Sequence, residues 1–272
     1  MRKYHLLAIS NRLQEAGVKK IRKIGQSMEF EQIKEYVRGD DHRTINWKAT
    51  ARKGELMVNN FTDERSQQIY CIINKGRVMK MPFEEMTLLD YSINASLVLA
   101  NVAMVRQDKA GLITFAENLD SFIPADKKPT QINLLLESLY RQKTRFLEPD
   151  LEKLFSVIRN RISHRSMLVL FTNYESLESL DRDLPSLKKI AKYHLLLVIL
   201  FENTELRQLH ESRAELLEDI YIKTTARKYI HDKRLMIREL NKNGILAILS
   251  TPENLTVNTI NKYLEVKTRM SL

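Results

Sequence analysis

Ile69-Tyr70-Cys71-Ile72-Ile73 is an unbroken apolar run that leads into the polar turn Asn74-Lys75-Gly76. A strand that is covered by helices on both faces has this pattern, because neither of its faces meets water. Three later runs have the same character: Met167–Phe171, His194–Phe201 and Ile245–Leu249. Runs of this length are typical of strands and too short for a buried helix. The sequence therefore predicts at least four buried strands.

Amphipathic segments separate these runs, as is expected of crossover helices. The predicted helices cover residues 83–106, 130–140, 151–162, 177–193, 204–242 and 255–267, with a break in the fifth near residues 219–225. Two short strands, Lys109–Phe115 and Leu119–Pro124, surround a polar turn. Alternation of strands and helices predicts an α/β fold of the Rossmann type, with a mostly parallel central sheet and helices on both faces.

The composition narrows the class of protein. Only 7 Gly and 6 Pro occur in 272 residues, which excludes low-complexity and collagen-like chains. The single cysteine, Cys71, excludes an internal disulfide and suits a reducing compartment; inside an apolar strand we interpret it as a core residue. No uninterrupted apolar stretch is long enough to span a bilayer. We expect a cytoplasmic location, with any tether to the inner membrane lying in segments outside this chain.

The net charge is +10 and is concentrated near the start of the chain, where residues 1–53 hold 13 Lys/Arg against 6 Asp/Glu. Such a basic arm attracts nucleic acid, anionic lipid or an acidic protein surface. Nucleic-acid binding stays open as an alternative function. It is disfavoured, because only Tyr4 accompanies the basic arm for base stacking and no nucleic-acid motif is present.

Motifs for catalysis and nucleotide binding are absent from the sequence. There is no Gly-x-Ser-x-Gly elbow, no Gly-rich phosphate loop and no dinucleotide fingerprint. The six histidines show no i, i+4 pair, so the usual zinc spacing is missing. Ligands of open α/β sheets bind outside the carboxyl ends of the strands. We expect that edge to be formed by Asn74–Val78, the loop before Thr130, and Thr172–Tyr174.

A longer motif precedes the first buried strand. Its core is Phe30-Glu31-Gln32-Ile33-Lys34-Glu35-Tyr36-Val37-Arg38-Gly39-Asp40-Asp41, followed by Arg43, Ile45–Ala49 and Ala51-Arg52, and then by Leu56–Val58 and Glu64–Ser66. This stretch resembles the signature of the bacterial "domain of unknown function 58" family. The resemblance implies two parts: residues 1–66 as a basic arm and signature segment, and residues 67–272 as a von Willebrand factor A-like domain.

The resemblance implies a binding role without catalysis. Members of the family look like adaptors for MoxR-type AAA+ ATPases, and many are anchored in the membrane upstream of this region. The resemblance therefore implies a protein partner of the MoxR type or a membrane-associated assembly, and no enzymatic activity.

Von Willebrand A-like domains hold a divalent cation with Asp-x-Ser-x-Ser after the first strand, a Thr before a middle helix and a later Asp. Laid onto this chain, the matching positions are Asn74, Gly76, Val78, Thr130 and Asn173. Both carboxylates and both serine hydroxyls are thus missing, although Mg²⁺ needs such oxygen ligands. We expect a degenerate site with no metal cofactor, which leaves weak binding of Mg²⁺ or Mn²⁺ open. A metal-dependent adhesion domain is the alternative.

The signature segment offers a second candidate site, for a protein partner. The residues concerned are Arg38, Asp40, Asp41, Arg43, Trp47 and Lys48. They admit two interpretations. Either the carboxylates cap a turn and a helix over residues 44–51 with Trp47 buried, or the cluster is a docking surface, since Arg and Trp are favoured at interfaces. A shared metal or proton between Asp40 and Asp41 is disfavoured, because adjacent side chains of an extended chain point apart.

Overall fold

A computed structural model of the chain describes residues 29–38, 40–62, 66–84, 86–142, 144–204 and 217–270. The strands are β1 (Glu29–Glu35), β2 (Met57–Thr62), β3 (Gln68–Asn74), β4 (Pro82–Phe83), β5 (Met86–Thr87), β6 (Lys109–Phe115), β7 (Leu119–Asp126), β8 (Met167–Phe171), β9 (Leu195–Phe201) and β10 (Leu246–Ser250). The helices are α1 (Trp47–Lys53), α2 (Leu88–Val105), α3 (Gln131–Tyr140), α4 (Leu151–Arg161), α5 (Leu177–Tyr193), α6 (Leu217–Lys242) and α7 (Leu255–Met270). Residues 1–28 of the predicted basic arm lie outside these ranges.

A six-stranded sheet forms the centre, in the order β10-β9-β8-β3-β6-β7. All neighbouring pairs are parallel except β6 with β7, so the antiparallel strand lies at one edge. The strands β3, β8 and β9 are buried along almost their whole length, and every residue of β8 is buried. The edge strand β10 is only partly buried, with Leu246, Ile248 and Leu249 of intermediate exposure. The predicted α/β fold class, with a mostly parallel central sheet and helices on both faces, is therefore confirmed.

Two hydrophobic layers cover the faces of this sheet. Alternate residues of β3 point to opposite layers, because side chains of a strand alternate. Ile69, Cys71 and Ile73 pack in the layer that contains α2 and α7. Tyr70 and Ile72 pack in the layer that contains α4, α5 and α6. Helices on both faces explain why the strands carry no polar face.

The helix α2 is apolar almost all round and begins with a capping box, in which Thr87 and Asp90 bond each other's backbone N–H. Within the described residues it is the one helix that is long and apolar enough to cross a membrane, and 56% of that stretch is buried inside the protein. Ala95, Leu99 and Ala103 are fully buried against the sheet. In this structure, α2 is the central helix of the core.

A buried carboxylate fixes the last helix to the amino-terminal edge of the sheet. Asp108, just before β6, is fully buried and accepts hydrogen bonds from the Gln67 backbone N–H (3.0 Å) and the Tyr263 hydroxyl. Lys267 Nζ lies 3.1 Å from the same carboxylate. A buried charge is tolerated only when it is paired and hydrogen-bonded, as it is here. This cluster closes the edge opposite the expected ligand crevice.

The signature segment forms a small separate sheet, in which β1 pairs antiparallel with β2. The short helix α1 lies between these two strands in the chain. Its N-cap, Asn46, accepts a hydrogen bond from the Ala49 N–H, and its C-cap, Gly54, adopts a left-handed φ of 77° that favours glycine. Asn46 also donates through Nδ2 to Asn59 of β2 (2.8 Å) and through its backbone N–H to the Met57 carbonyl (2.8 Å). These bonds fix α1 to the hairpin.

The helix α6 runs without interruption from Leu217 to Lys242, so the predicted break near residues 219–225 is wrong. The segment of the predicted break contains two β-branched polar residues, Thr224 and Thr225. Both are exposed, and a modest intrinsic preference against helix is readily overridden by the packing of the rest of the helix. The continuity of α6 matters for the site below, because its middle turns reach the carboxyl edge of the sheet.

Candidate functional site

The carboxyl edge of the sheet carries a cluster of buried polar side chains. Asn74 ends β3 and Lys75 follows it, and Thr172 and Asn173 follow β8; all four are almost completely buried. The parallel pairing of β3 with β8 places their carboxyl ends side by side. The structure therefore brings Asn74, Gly76 and Asn173 to one edge, as the sequence predicted.

Asn74 ties two loops together. Its Oδ1 accepts a hydrogen bond from the Gly76 backbone N–H (2.7 Å), and its Nδ2 donates to Thr172 Oγ1 (2.9 Å). Because a backbone N–H can only donate, the amide oxygen is fixed as the atom that faces Gly76. The oxygen that would stand in for a metal-binding carboxylate is therefore engaged within the protein.

Gly76 stands where the metal-binding pattern has its first serine, and the structure explains the glycine. A Cβ atom built on Gly76 would lie 2.7 Å from Pro149 Cδ and 2.9 Å from the Leu147 carbonyl oxygen. Contacts of that length with a proline ring and with a backbone carbonyl oxygen leave no space for a side chain at this position. The loop before α4 thus occupies the space that a serine hydroxyl would need, and the half-buried Val78 offers no oxygen in its side chain.

Thr130 lies at the opposite edge. The neighbouring Gln131 donates through Nε2 to the carbonyl oxygen of Ala110, near the start of β6. Since β7 is antiparallel, it returns the chain to the amino edge before α3 begins. Thr130 is exposed, and its side chain makes no capping hydrogen bond. The structure therefore does not bring Thr130 together with Asn74 and Asn173.

A different threonine joins the cluster. Thr144, after α3, donates through Oγ1 to the Lys75 carbonyl oxygen (2.7 Å) and accepts from the Phe146 N–H (3.0 Å). It follows α3, which leads from the amino edge of the sheet back to the carboxyl edge. The hydroxyl that the sequence comparison assigned to Thr130 is thus supplied by Thr144, where it holds loops together.

A lysine that the sequence analysis missed completes the site. Lys233, in the middle of α6, is only 2% exposed, and its Nζ donates to Asn173 Oδ1 and to the Tyr174 carbonyl oxygen (2.6 Å). The ring of Tyr229, one turn earlier, has its centroid 5.3 Å from the same ammonium group. The signal in the sequence is its register: Ala226, Lys233, Met236 and Leu240 form the buried stripe of α6.

Burial changes the acidity of this lysine. Removal from water disfavours the charged ammonium and lowers the pKa of Lys233 to about 7, while the nearby Glu175 carboxylate opposes that decrease. Near neutral pH the group therefore changes between a cation and a neutral amine. In either state it remains a hydrogen-bond donor to Asn173 and Tyr174.

These residues do not fit a divalent cation. Mg²⁺ requires about six oxygen ligands, usually with carboxylates among them. The amide oxygens of Asn74 and Asn173 accept hydrogen bonds from protein donors, and the Thr144 hydroxyl donates to a carbonyl. The amino group of Lys233 donates to Asn173, and in its protonated state it would repel the charge of a metal ion at this position. Among the described residues, no group of three or more His, Cys, Asp or Glu side chains could hold a metal elsewhere.

The loops at this edge surround an open cavity of about 320 Å³. Arg77 and Lys80, from the loop after β3, and Glu175, from the loop after β8, lie on its walls together with Asn173 and Tyr229. Arg77 Nη2 lies 3.7 Å from Glu175 Oε2, a loose ion pair whose two side chains are well exposed. The cavity is therefore lined by charged groups that solvent and a ligand can reach.

The second candidate site, on the signature segment, contains two kinds of residue. Some hold the segment together through hydrogen bonds, and others are exposed to solvent. Asp40 accepts from Lys34 Nζ (2.8 Å) and from the Val37 N–H (2.9 Å), and these bonds lower the pKa of its carboxyl group. Asp41 caps the short 3₁₀ turn over residues 42–44 by accepting from the Arg43 N–H. The two carboxylates thus have separate backbone partners and form no shared metal or proton site.

Trp47 is not buried. Its side chain is 70% exposed at the start of α1, which contradicts the interpretation that placed it in a small core. The side chains of Arg38, Arg43 and Lys48 are exposed as well. We call Arg38, Arg43, Trp47 and Lys48 the signature surface. Burial by its own domain does not explain this tryptophan.

Cys71 is buried in the sheet, as predicted. Burial raises the pKa of its thiol to about 12, so the nucleophilic thiolate is suppressed. Its Sγ faces the Ser96 carbonyl oxygen at 3.7 Å. The thiol is a packing group in this fold.

Comparisons with known proteins found a family match and several similar structures. The model of a family described as "Protein of unknown function DUF58" matches residues 32–219. A conserved hypothetical protein, BatB from Bacteroides thetaiotaomicron, is similar in structure, with a TM-score of 0.47 and 12% identity over 75% of this chain and 99% of that one. An aerotolerance-related membrane protein from Bacteroides fragilis has a TM-score of 0.45 and 11% identity, covering 73% and 98% of the two chains.

The von Willebrand A domain of SpRpn10 is also similar, with a TM-score of 0.41 and 13% identity over 70% of this chain and 92% of that one. No curated protein matches this chain.

Proposed function

This chain belongs to the DUF58 family, and from that premise we propose that it is a non-enzymatic protein-interaction module, an adaptor for a MoxR-type AAA+ ATPase or a membrane-associated assembly. Its von Willebrand A-like domain is the scaffold, with an adhesion site that no longer uses metal. The signature surface makes the main contact with the partner.

The exposure of Trp47 is the observation that carries this proposal. Transfer of so large an apolar side chain from water into an interface is favourable by about 2 kcal/mol or more. Tryptophan and arginine dominate the residues whose truncation weakens protein interfaces most. Arg43 lies four residues before Trp47 and Lys48 directly follows it, so exposed basic residues flank the apolar anchor in the sequence.

The bracing of the segment supports the same role. Asn46, next to Trp47, bonds to Asn59 and Met57 of β2, and Asp40 is held by Lys34 and the Val37 N–H. A contact residue on a rigid support loses less conformational entropy on binding. We therefore propose that Asp40 and Asp41 organise the signature surface and that Arg38, Arg43, Trp47 and Lys48 contact the partner.

The test is binding of the purified chain to a purified MoxR-type ATPase of the same organism, measured by biolayer interferometry. Relative to the wild type, Trp47→Ala is expected to weaken binding by a factor of about ten or more. Arg43→Ala is expected to weaken binding by a smaller, several-fold factor. The matched control is Tyr140→Ala, which removes an aromatic ring that is 83% exposed at the end of α3. It should bind like the wild type, and all variants should keep the wild-type melting temperature.

Two results would contradict the proposal. One is the absence of any binding between the two purified proteins. The other is equal binding by the wild type and by folded Trp47→Ala, which would remove the signature surface from the interface.

A further inference from the structure

The cavity at the carboxyl edge has more positive than negative charge. Arg77 and Lys80 line it, and Lys233 lies buried directly behind Asn173. Among the residues that the structure describes, Glu175 supplies the carboxylate on the walls of this cavity, and Glu202 lines an adjoining cavity that shares Asn173 and Tyr229. Buried charge is poorly screened by solvent, so the ammonium of Lys233 adds to the field in the cavity even though it does not line the wall.

Asn173 presents a donor to this cavity. An ammonium group has no acceptor, so the amide atom that faces Lys233 must be Oδ1. Asn173 itself lines the cavity. With its oxygen held from behind by Lys233, the amide offers an incoming group its Nδ2 hydrogens rather than a lone pair. Donors and positive charge therefore converge on the same space, which is the opposite of what a cation requires.

Glu175 shows which anion this edge accommodates. Its carboxylate reaches 3.7 Å from the Arg77 guanidinium, a distance at which the pair is loose and both groups stay exposed. The guanidinium has five N–H donors and can hold a second carboxylate in a bidentate manner. A carboxylate of a ligand can therefore join this arrangement without breaking a buried contact.

From this geometry we propose that the cavity is a metal-independent binding site for an acidic side chain of a protein, which Arg77 and Lys80 contact directly and which the buried amino group of Lys233, behind Asn173, also attracts. This goes beyond the signature surface and depends on the proposed function only in that the ligand is a protein. An acidic polypeptide segment suits the site better than a small free acid, because the cavity is open and its two wall cations are exposed.

The experiment uses the full chain and a fluorescein-labelled peptide that contains Glu and Asp between Gly and Ser residues. The matched peptide has Gln and Asn in their place. At pH 6.5, where Lys233 is mostly protonated, fluorescence anisotropy in the presence of EDTA should show binding of the acidic peptide. The amide peptide should bind with an affinity at least about tenfold lower than that of the acidic peptide.

Variants locate the site. Arg77→Ala and Lys80→Ala each remove one exposed cation from the cavity wall. Each should lower the affinity for the acidic peptide several-fold. The matched control is Lys128→Ala, an exposed lysine next to Asp126 at the end of β7, on the amino side of the sheet. It should leave the affinity unchanged. Lys233→Met should also lower the affinity for the peptide. Because Lys233 is buried, this substitution can also disturb the fold, so the decisive variants are the two on the surface.

Several results would overturn this proposal. Equal affinity for the acidic and amide peptides would remove carboxylate recognition. Binding that needs Mg²⁺ and disappears in EDTA would restore a metal site. Full affinity of Arg77→Ala and Lys80→Ala would move the peptide elsewhere, and free glutamate that binds as tightly as the peptide would exclude the protein ligand. Trp47→Ala should bind the peptide normally, so failure of the proposed function and failure of this site are distinguishable.

Discussion

The ammonium group of Lys233 donates a hydrogen bond to the amide oxygen of Asn173, and through it a helix on one face of the sheet is joined to the carboxyl end of the strand β8. This contact lies where a von Willebrand A-like domain would place one of its metal ligands. A side chain of the protein thus supplies the positive charge at this position. The first two predictions follow from it.

Lys233 should make stability depend on pH in the alkaline range. Its pKa of about 7 in the folded protein lies below the value of 10.5 for an unperturbed lysine. Between these values the unfolded chain holds a proton that the folded chain has released, so the free energy of unfolding rises with pH. Relative to Lys233→Met, the wild type should gain on the order of a few kcal/mol from pH 7 to pH 10.

Urea denaturation at several pH values measures this difference. The Lys233→Met variant serves as the reference because all other titrating groups are common to both proteins. Identical pH slopes for the two proteins would show that Lys233 keeps the pKa of an exposed lysine.

Divalent metals should leave the melting curve unchanged. A ligand that binds only the folded state raises stability by RT ln(1 + [L]/Kd), so millimolar Mg²⁺ or Mn²⁺ is a sensitive probe of a site with micromolar affinity. Because the oxygens of Asn74 and Asn173 are engaged by protein donors, we expect no shift in differential scanning fluorimetry. A rise in melting temperature that disappears in Thr144→Ala would establish a metal site at this edge.

The two threonines should differ in their contribution to stability. Thr144→Val removes one hydrogen bond to the Lys75 carbonyl and one from the Phe146 N–H, and should cost about 1–3 kcal/mol. Thr130→Val is the matched control, since its hydroxyl is exposed and caps nothing; it should change stability by less than about 0.5 kcal/mol. A larger loss in Thr130→Val than in Thr144→Val in urea denaturation would reverse the assignment.

Cys71 should be inert in the native protein. Its thiol is buried and has a pKa raised to about 12, so a thiol reagent such as dithionitrobenzoate should react only when the sheet opens. We expect no reaction within minutes at pH 8 and stoichiometric reaction in guanidinium chloride. Since the chain has one cysteine, Cys71→Ala gives the blank. Prompt labelling of the folded protein would show that the thiol is accessible.

The order of strands and helices could be predicted because each element depends mainly on the pattern of apolar and polar residues within its own segment. Runs such as Met167–Phe171 have no polar residue, and this is the requirement for a strand covered on both faces. The exchange of Asn for Asp at positions 74 and 173 could likewise be read from the sequence. The absence of carboxylates at positions 74 and 173 is visible in the sequence itself.

The contacts of the site could not be predicted, since they depend on where the chain returns. Thr130 was placed at the carboxyl edge because a threonine before a helix matches a pattern, but the antiparallel course of β7 delivers it to the other end. Lys233 was missed because a lysine in a charged helix is usually solvated. Its position on the buried stripe with Met236 and Leu240 was the signal. Trp47 was ambiguous, because an aromatic residue suits a core and an interface equally well.

The attachment of the cation at this edge to the backbone has a physiological consequence. An ion-dependent receptor fills and empties as the supply of free magnesium or manganese in its surroundings changes, and it can be silenced by starvation for that metal. A lysine, in contrast, is part of the polypeptide from its synthesis, so every chain carries this group. Recognition built on Lys233 would therefore persist unchanged through metal scarcity, and it would respond instead to the acidity of the surroundings.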